Sequence, residues 1–258
     1  MTTQPIFAFV DLDDSLLQTR EKCRQEPLVE AAYDRAGAPL SFHTPAQLAL
    51  LDLLRGVTLI PVTGRNLRAL RQVRSPRFAS YRITSHGALV LGPDEDLLPS
   101  WRVLLDAQAA RWAGPLAEAA ALAEEFIAAE RLALRSRVIE DLGVPVYVSI
   151  KGPPVELAFL AERIAPHWST GVVHSNDKNL ALLPPFADKA AAVRHLMAEI
   201  ERTLEVEPVY IGIGDSLTDL PFLRLCHFAL VPQHSQIQAH AWAVPGGLAE
   251  AGKLGDLG

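Results

Sequence analysis

Residues 6 to 10 read Ile-Phe-Ala-Phe-Val, and the chain then runs straight into Asp11-Leu12-Asp13-Asp14-Ser15. A short continuous apolar run suits a strand buried on both faces, as in a parallel sheet. The carboxylates crowded at its tip repel one another and lose hydration if they are covered. A buried strand that ends in such a cluster points to something positive beside the acids. That pairing restricts the chain more than any other feature in it.

The flanking sequence extends the same architecture. Residues 45–55 favour a helix that Gly56 ends. An apolar run over 57–62 follows and leads into Thr63-Gly64-Arg65-Asn66. A short helix and a third strand over 81–84 come next. Further along, 188–204 reads as a helix, 208–213 as an apolar strand, 214–219 as the loop Gly-Asp-Ser-Leu-Thr-Asp, and 228–231 as a last strand. Strand and helix alternating in this way define an α/β fold, a doubly wound parallel sheet of Rossmann-like form. The segment between the two halves has another texture. Residues 101–131 are Ala-rich and helix-favouring, with a break expected near Gly114-Pro115. Strands are expected over 132–139 and 144–150, a helix over 153–165, and a hairpin over 171–174 and 179–183 that turns at 175–178. Helix then hairpin, twice, is the pattern of a small antiparallel α+β layer. The expected organisation is a core of residues 1–85 and 186–258 with an inserted module at 86–185. Residues 20–43 are expected to form a hairpin turning at Arg35-Ala36-Gly37, close to the end of the first strand, where it would shape access. The C-terminal stretch 242–258 is Gly-rich and reads as loop plus a last helical turn.

The whole chain has 258 residues and a formal net charge of −6, so it has no basic footprint of a nucleic-acid binder. An acidic protein can hold an anionic substrate only at a local positive site: a metal ion, a basic side chain or a helix N-terminus. Cys23 and Cys226 have no metal-ligand spacing and are expected to be reduced thiols. The N-terminus lacks the pattern of a signal peptide, and no apolar run is long enough to cross a bilayer. A cytoplasmic protein is expected, without membrane or nucleic-acid partners, as a monomer or small homo-oligomer.

In open parallel sheets, ligands bind beyond the carboxyl ends of the strands. There the sequence places Asp11 and Asp13, Thr63, and Asp215 with Asp219 one helical turn on, while Lys189 starts the helix at 188–204. Taken singly, each has an ordinary reading: Asp14, Ser15 and Asp219 as caps, Thr63-Gly64 as a turn. Together they resist it. Capping needs one acid, not three, and a lysine at a helix N-terminus opposes the macrodipole unless an anion is near. A divalent cation such as Mg2+ resolves the crowding, with carboxylates from Asp11 and Asp215 and the backbone carbonyl of Asp13 as ligands. Chemistry on phosphate then becomes plausible. A carboxylate can attack phosphorus to give an aspartyl-phosphate. Lys189 and the metal balance the charge, Thr63 hydrogen-bonds a phosphate oxygen, and Asp13 moves protons.

The motifs DLDDS at 11–15, VTGR at 62–65, ADK at 187–189 and GDSLTD at 214–219 resemble, in order and in context, those of the haloacid dehalogenase superfamily of phosphatases. The resemblance implies Asp11 as nucleophile, Asp13 as general acid/base, and Thr63 and Lys189 as phosphate-positioning groups. It implies Asp11, Asp13 and Asp215 as magnesium ligands, with Asp219 supporting the metal or Lys189. An insertion between the Thr and Lys motifs resembles the type IIB cap of Cof-like, sucrose-phosphatase-like and mannosylglycerate-phosphatase-like members. The segment TSHGALVL at 84–91 is similar to their NGA segment, with His86 in place of Asn; Ala190 and Asp14 stand where Gly is usual. Ser15, Gly64, Arg65, Asn66 and His86 are the candidate substrate-binding residues, Arg65 first among them. Lys151, His174, Asn176 and Lys178 are candidates on the insertion. The implied substrate is a small phosphomonoester, a sugar phosphate before a nucleotide.

Other classes remain open at this level. A phosphomutase would pass the same intermediate to a second hydroxyl, and a non-hydrolytic phosphate-binding or regulatory protein would use the same fold. A receiver-type signalling domain needs a phosphorylated Asp on a later strand, and the middle strands end instead in Thr63 and in Ser85-His86.

Overall fold

The computed structural model describes residues 4–243 except 25, 27 and 177. The Gly-rich stretch from 244 onward therefore lies outside the described residues. The strands are β1 (Ile6–Val10), β2 (Gln18–Thr19), β3 (Val29–Tyr33), β4 (Pro39–His43), β5 (Thr58–Pro61), β6 (Arg82–Thr84), β7 (Leu89–Leu91), β8 (Arg135–Asp141), β9 (Val144–Lys151), β10 (Val172–Asn176), β11 (Asn179–Leu183), β12 (Val209–Ile213) and β13 (Phe228–Leu230). The helices are α1 (Pro45–Leu53), α2 (Leu67–Leu70), α3 (Pro99–Ala129), α4 (Pro154–Ile164), α5 (Lys189–Thr203), α6 (Leu220–Leu223) and α7 (Gln236–Ala243).

The parallel sheet runs in the order β13-β12-β1-β5. β1 lies at its centre, in register with β12 from Ile6↔Val209 to Val10↔Ile213 and with β5 from Phe7↔Thr58 to Val10↔Pro61. A bridge between Val62 and Ile83 carries the order on to β6, which turns back as the antiparallel β6–β7 pair. The third strand expected from the sequence therefore meets the sheet through one bridge rather than a full ladder. Because β1, β5 and β12 are parallel, Asp11, Thr63 and Asp215 leave the sheet at the same edge. Phe9, Ile60, Ile83 and Phe222 are fully buried against this sheet, each contributing about 1.5–3 kcal/mol by burial.

A second, antiparallel sheet runs β10-β11-β9-β8. Side chains alternate across it. Val148, Ile150, Leu180 and Leu182 pack against α3 and α4, whereas Ile139, Tyr147, Ala181 and Leu183 join the cluster that contains Ile60, Ile83 and Leu196 of the parallel half. One face of this sheet is thus turned toward the site. Helix α3 is continuous over 31 residues, without the break expected near Gly114-Pro115. A proline inside a helix costs about 3 kcal/mol. Here Trp112, Leu116, Ala119, Ala120 and Ala123 form one buried stripe along the sheet, and burial of that stripe outweighs the local penalty.

Residues 20–43 form the expected hairpin, with β2 joining it in the order β2-β4-β3. Asp34 accepts from the backbone N–H groups of Ala36 and Ala38, and Gly37 takes a positive φ of 85°. The hairpin and the start of α1 brace the acidic loop: His43 Nδ1 of β4 lies 2.8 Å from the Leu16 carbonyl, and Gln47 Nε2 of α1 donates to the Ser15 carbonyl at 3.1 Å. Cys23 and Cys226 are both free. Among the described residues no helix is long and apolar enough to cross a membrane.

Candidate active site

β1 delivers Asp11 buried, its N–H donating to the Ile213 carbonyl of β12 at 2.8 Å. Lys189, the first residue of α5, reaches back between two carboxylates, donating to Asp11 Oδ1 at 2.7 Å and Asp219 Oδ1 at 2.6 Å. Its helix start is capped by Asp188, whose Oδ1 accepts from Ala190 and Ala191. The two acids raise the Lys189 pKa against the opposing effect of burial.

Asp219 is fully buried, and its carboxylate is saturated. Beside Lys189 on Oδ1, its Oδ2 accepts from the N–H of Asp215 at 3.2 Å, the N–H of Ser216 at 3.0 Å and the Ser216 hydroxyl at 2.8 Å. It makes no side-chain hydrogen bond that caps α6. Gly214 permits this turn, since a Cβ there would stand 2.7 Å from the Asp219 Cβ. Asp219 therefore fixes Lys189 and the Asp215 loop, as a supporting residue would.

Carboxylate oxygens of Asp11, Asp215 and Asp219 lie within 4.8 Å of one another. Three acids and one ammonium leave an excess of negative charge. Burial, then Asp219 and Asp14, push the Asp215 carboxyl up to about 7. Burial likewise raises Asp11 well above the ordinary carboxylate range despite Lys189. Asp11 Oδ2 and Asp215 Oδ2 accept no hydrogen bond among the described residues, and Asp215 Oδ1 receives only the Ser15 hydroxyl at 3.4 Å. Hard oxygen donors with uncompensated charge fit a divalent cation such as Mg2+.

Asp13 lies outside that triad. Arg65 grips it with two hydrogen bonds, Nε to Oδ2 at 2.8 Å and Nη2 to Oδ1 at 2.6 Å. Burial pushes the Asp13 carboxyl up, but the guanidinium outweighs it and holds the acid below its usual range. Arg65 Nη2 also donates to Ser41 of the hairpin at 3.3 Å. Thr63 is buried at the end of β5, and its hydroxyl accepts from the Arg65 N–H at 3.1 Å. Asn66 caps α2 by accepting from the Ala69 N–H, so its side chain is committed to the helix start. Ser15 is buried against Asp215.

His86 sits over Gly64; a Cβ on Gly64 would come within 2.4 Å of its ring. It is flanked edge-on by Tyr147 at 5.0 Å and His174 at 5.6 Å, and the Tyr147 hydroxyl donates to the Gly64 carbonyl at 3.3 Å. Burial, with His174 and Lys189 nearby, holds the His86 imidazole well below its ordinary pKa. Ser85, His86 and Gly87 all have positive φ, a strained turn of the kind found at functional sites. Gly87 is required there: a Cβ would lie 2.4 Å from the Asp188 backbone, at the start of the Lys189 helix. Lys178 pairs with Glu21, tying the antiparallel sheet to the hairpin segment; Asn176 bonds to Asn179.

No family model matches the sequence, and no curated protein matches it. Solved structures do. The sucrose-phosphatase of Synechocystis sp. PCC6803, in complex with sucrose and phosphate, matches at 18% identity and TM-score 0.51, over 93% of this chain and 87% of that one. The C-terminal domain of the C. albicans trehalose-6-phosphate phosphatase matches at 16% identity and TM-score 0.55, over 86% and 73%. A trehalose-6-phosphate phosphatase related protein matches at 16% identity and TM-score 0.50, over 90% and 93%. The chain shares its fold with these three proteins.

Within this fold, one anchoring residue escapes sequence reasoning. Asp141, at the end of β8, reads in sequence as part of a turn with Leu142 and Gly143. Its buried Oδ2 instead accepts from the Leu67 N–H at 2.9 Å, the Thr84 hydroxyl at 3.1 Å and the Ser85 hydroxyl at 2.7 Å. It joins the antiparallel sheet to both loops that carry Arg65 and His86. No local signal marks it, because all three donors are more than 50 residues away in sequence.

Proposed function

We propose that the protein is a magnesium-dependent phosphatase that hydrolyses a small phosphomonoester through an aspartyl-phosphate on Asp11, with a sugar phosphate as the favoured substrate. The observation that carries this reading is Lys189 held between Asp11 and Asp219, with Asp215 in the same buried cluster. Residues 1–85 and 186–258 act as the catalytic core and 86–185 as the cap, in a soluble cytoplasmic protein.

Asp11 and Asp215 carboxylates, with the Asp13 backbone carbonyl, would hold Mg2+, which supplies charge neutralisation for phosphate at a site already over-rich in acids. Asp11 Oδ2 attacks phosphorus, and the bond to the ester oxygen breaks as the new P–O bond forms. Lys189 keeps the Asp11 carboxylate oriented and, with the Thr63 hydroxyl, meets the phosphate oxygens. Arg65 turns from Asp13 to the substrate phosphate. Without its cation Asp13 takes a proton from solvent and gives it to the leaving alkoxide. In the second half Asp13 takes a proton from water as the water oxygen attacks phosphorus. Asp11 is released as carboxylate and inorganic phosphate leaves. The sugar phosphatases with the same fold support the substrate preference.

The test is phosphate release from sugar phosphates, nucleotides and p-nitrophenyl phosphate, with magnesium or chelator, by wild type and Asp11→Asn. Turnover that needs magnesium and disappears in Asp11→Asn is expected. Turnover that survives either change would refute the mechanism.

A further inference from the structure

The cap face over the site carries more positive charge than one phosphate needs. On β8, Arg135 and Arg137 alternate in phase with Ile139 and Asp141, the residues that pack on or bond to the core. On β9, Lys151 is in phase with Tyr147, whose hydroxyl reaches Gly64. The side-chain period of two therefore turns Arg135, Arg137 and Lys151 toward the site. Arg135 and Lys151 are direct cross-strand partners, and Arg137, opposite Ser149, is one step along the same face. Like charges placed opposite each other on a strand pair destabilise it. Among the described residues, none of the three forms an ion pair or a side-chain hydrogen bond. All three are exposed to solvent. Partial desolvation of its ammonium and the neighbouring Arg137 depress the Lys151 pKa, and Asp13 and Arg65 both lie close enough to act on it. The cluster thus stands over the Asp13–Arg65 side of the site, whereas His174, which feels Lys189 and Asp219, stands over the other.

The scissile phosphate already has Lys189, Arg65 and a metal-binding cluster on the core. We propose that Arg137 and Lys151, with Arg135 behind them, form a second anion subsite, so that the preferred substrate is a phosphomonoester carrying a further carboxylate or phosphate. This rests on the phosphatase reading for the identity of the first anion. It departs from a neutral sugar moiety, because a neutral sugar would leave three clustered cations without a partner.

Matched pairs test it: 6-phosphogluconate against glucose 6-phosphate for a carboxylate, and fructose 1,6-bisphosphate against fructose 6-phosphate for a phosphate. One charge-assisted hydrogen bond is worth about tenfold or more in affinity. The expected kcat/KM ratio in at least one pair is therefore about tenfold or more in favour of the doubly anionic member. Which pair shows it tells carboxylate from phosphate. In Arg137→Met/Lys151→Met that ratio falls toward one, and in Arg137→Glu it falls below one. Ratios near one in wild type for both pairs, or variants that slow both members of a pair equally, overturn the subsite. Calorimetric binding of the same four compounds to Asp11→Asn in magnesium separates the two readings. If no compound is hydrolysed by wild type yet the doubly anionic members bind more tightly and lose that advantage in the double variant, the subsite stands and the phosphatase reading falls. Equal binding in both pairs removes the subsite whatever the turnover.

Discussion

Asp141 should be the residue that fastens the antiparallel sheet to the parallel half of the molecule. Its Oδ2 serves three donors, the Leu67 N–H and the hydroxyls of Thr84 and Ser85, and all three donor residues are buried. Replacing Asp141 with Ala leaves three donors without an acceptor. Each orphaned buried donor costs about 1–3 kcal/mol. The two hydroxyls can rotate and a water can enter the space left behind, so the total expected for Asp141→Ala is about 3–5 kcal/mol. For a chain of this size that corresponds to a fall in Tm of about 6–10 °C. Asp141→Asn keeps a carbonyl oxygen where Oδ2 stands and turns its NH2 to the side on which no donor bonds. Its expected cost is about 1 kcal/mol. The assay is urea unfolding followed by circular dichroism, with phosphate release measured in parallel. Both variants should retain Asp11, Lys189 and Asp215 geometry. The Ala variant should lose activity through displacement of the Arg65 and His86 loops. An Ala variant within 1 kcal/mol of wild type, or an Asn variant as damaged as Ala, would refute the three-donor account.

Three further outcomes are expected. Lys189→Met leaves Asp11 and Asp219 buried without their cation and should cost about 3–5 kcal/mol in chelator, with part of the loss restored by magnesium; a variant as stable as wild type in chelator would contradict the buried-charge argument. Burial depresses the pKa values of both His86 and His174. Their stabilisation is therefore present above the unfolded value of about 6.5 and lost as pH falls below it. Urea midpoints of wild type should drop between pH 7 and pH 5 more steeply than those of His86→Gln, and parallel slopes would count against the assignment. Gly87→Ala combines a φ of 95° with a Cβ 2.4 Å from the Asp188 backbone. A loss of about 2–4 kcal/mol is expected, together with activity; thermal melts with phosphate release would detect it, and an unperturbed variant would show that the turn does not position Lys189.

What the sequence made legible was whatever is encoded locally. The apolar runs that become β1, β5 and β12 announce themselves by composition, and parallel strands necessarily bring their following residues to one edge. The nearness of Asp11, Thr63 and Asp215, with Lys189 at a helix start, is therefore already implied by the strand pattern. The hairpin at 20–43 was visible from its turn chemistry. Other features depend on relations between distant segments. The continuity of α3 through Pro115 is decided by a buried stripe whose partner sheet lies further along the chain, so a local penalty misled. The grip of Arg65 on Asp13 joins residues 52 apart, and it holds the Asp13 carboxyl below its usual range despite burial. Strand phase matters most at the roof of the site. Arg135, Arg137 and Lys151 look like ordinary solvated charges in a hairpin read alone. They acquire meaning only because Ile139, Asp141 and Tyr147, in the same phase, are fastened to the core. The contacts that fasten the antiparallel sheet thus also decide on which of its faces these charges stand. A register slip of one residue would turn Val138, Val148 and Ile150 toward the site and the cations toward α3 and α4. Apolar packing of the opposite face on α3 and α4 is therefore what fixes the face on which the three cations stand.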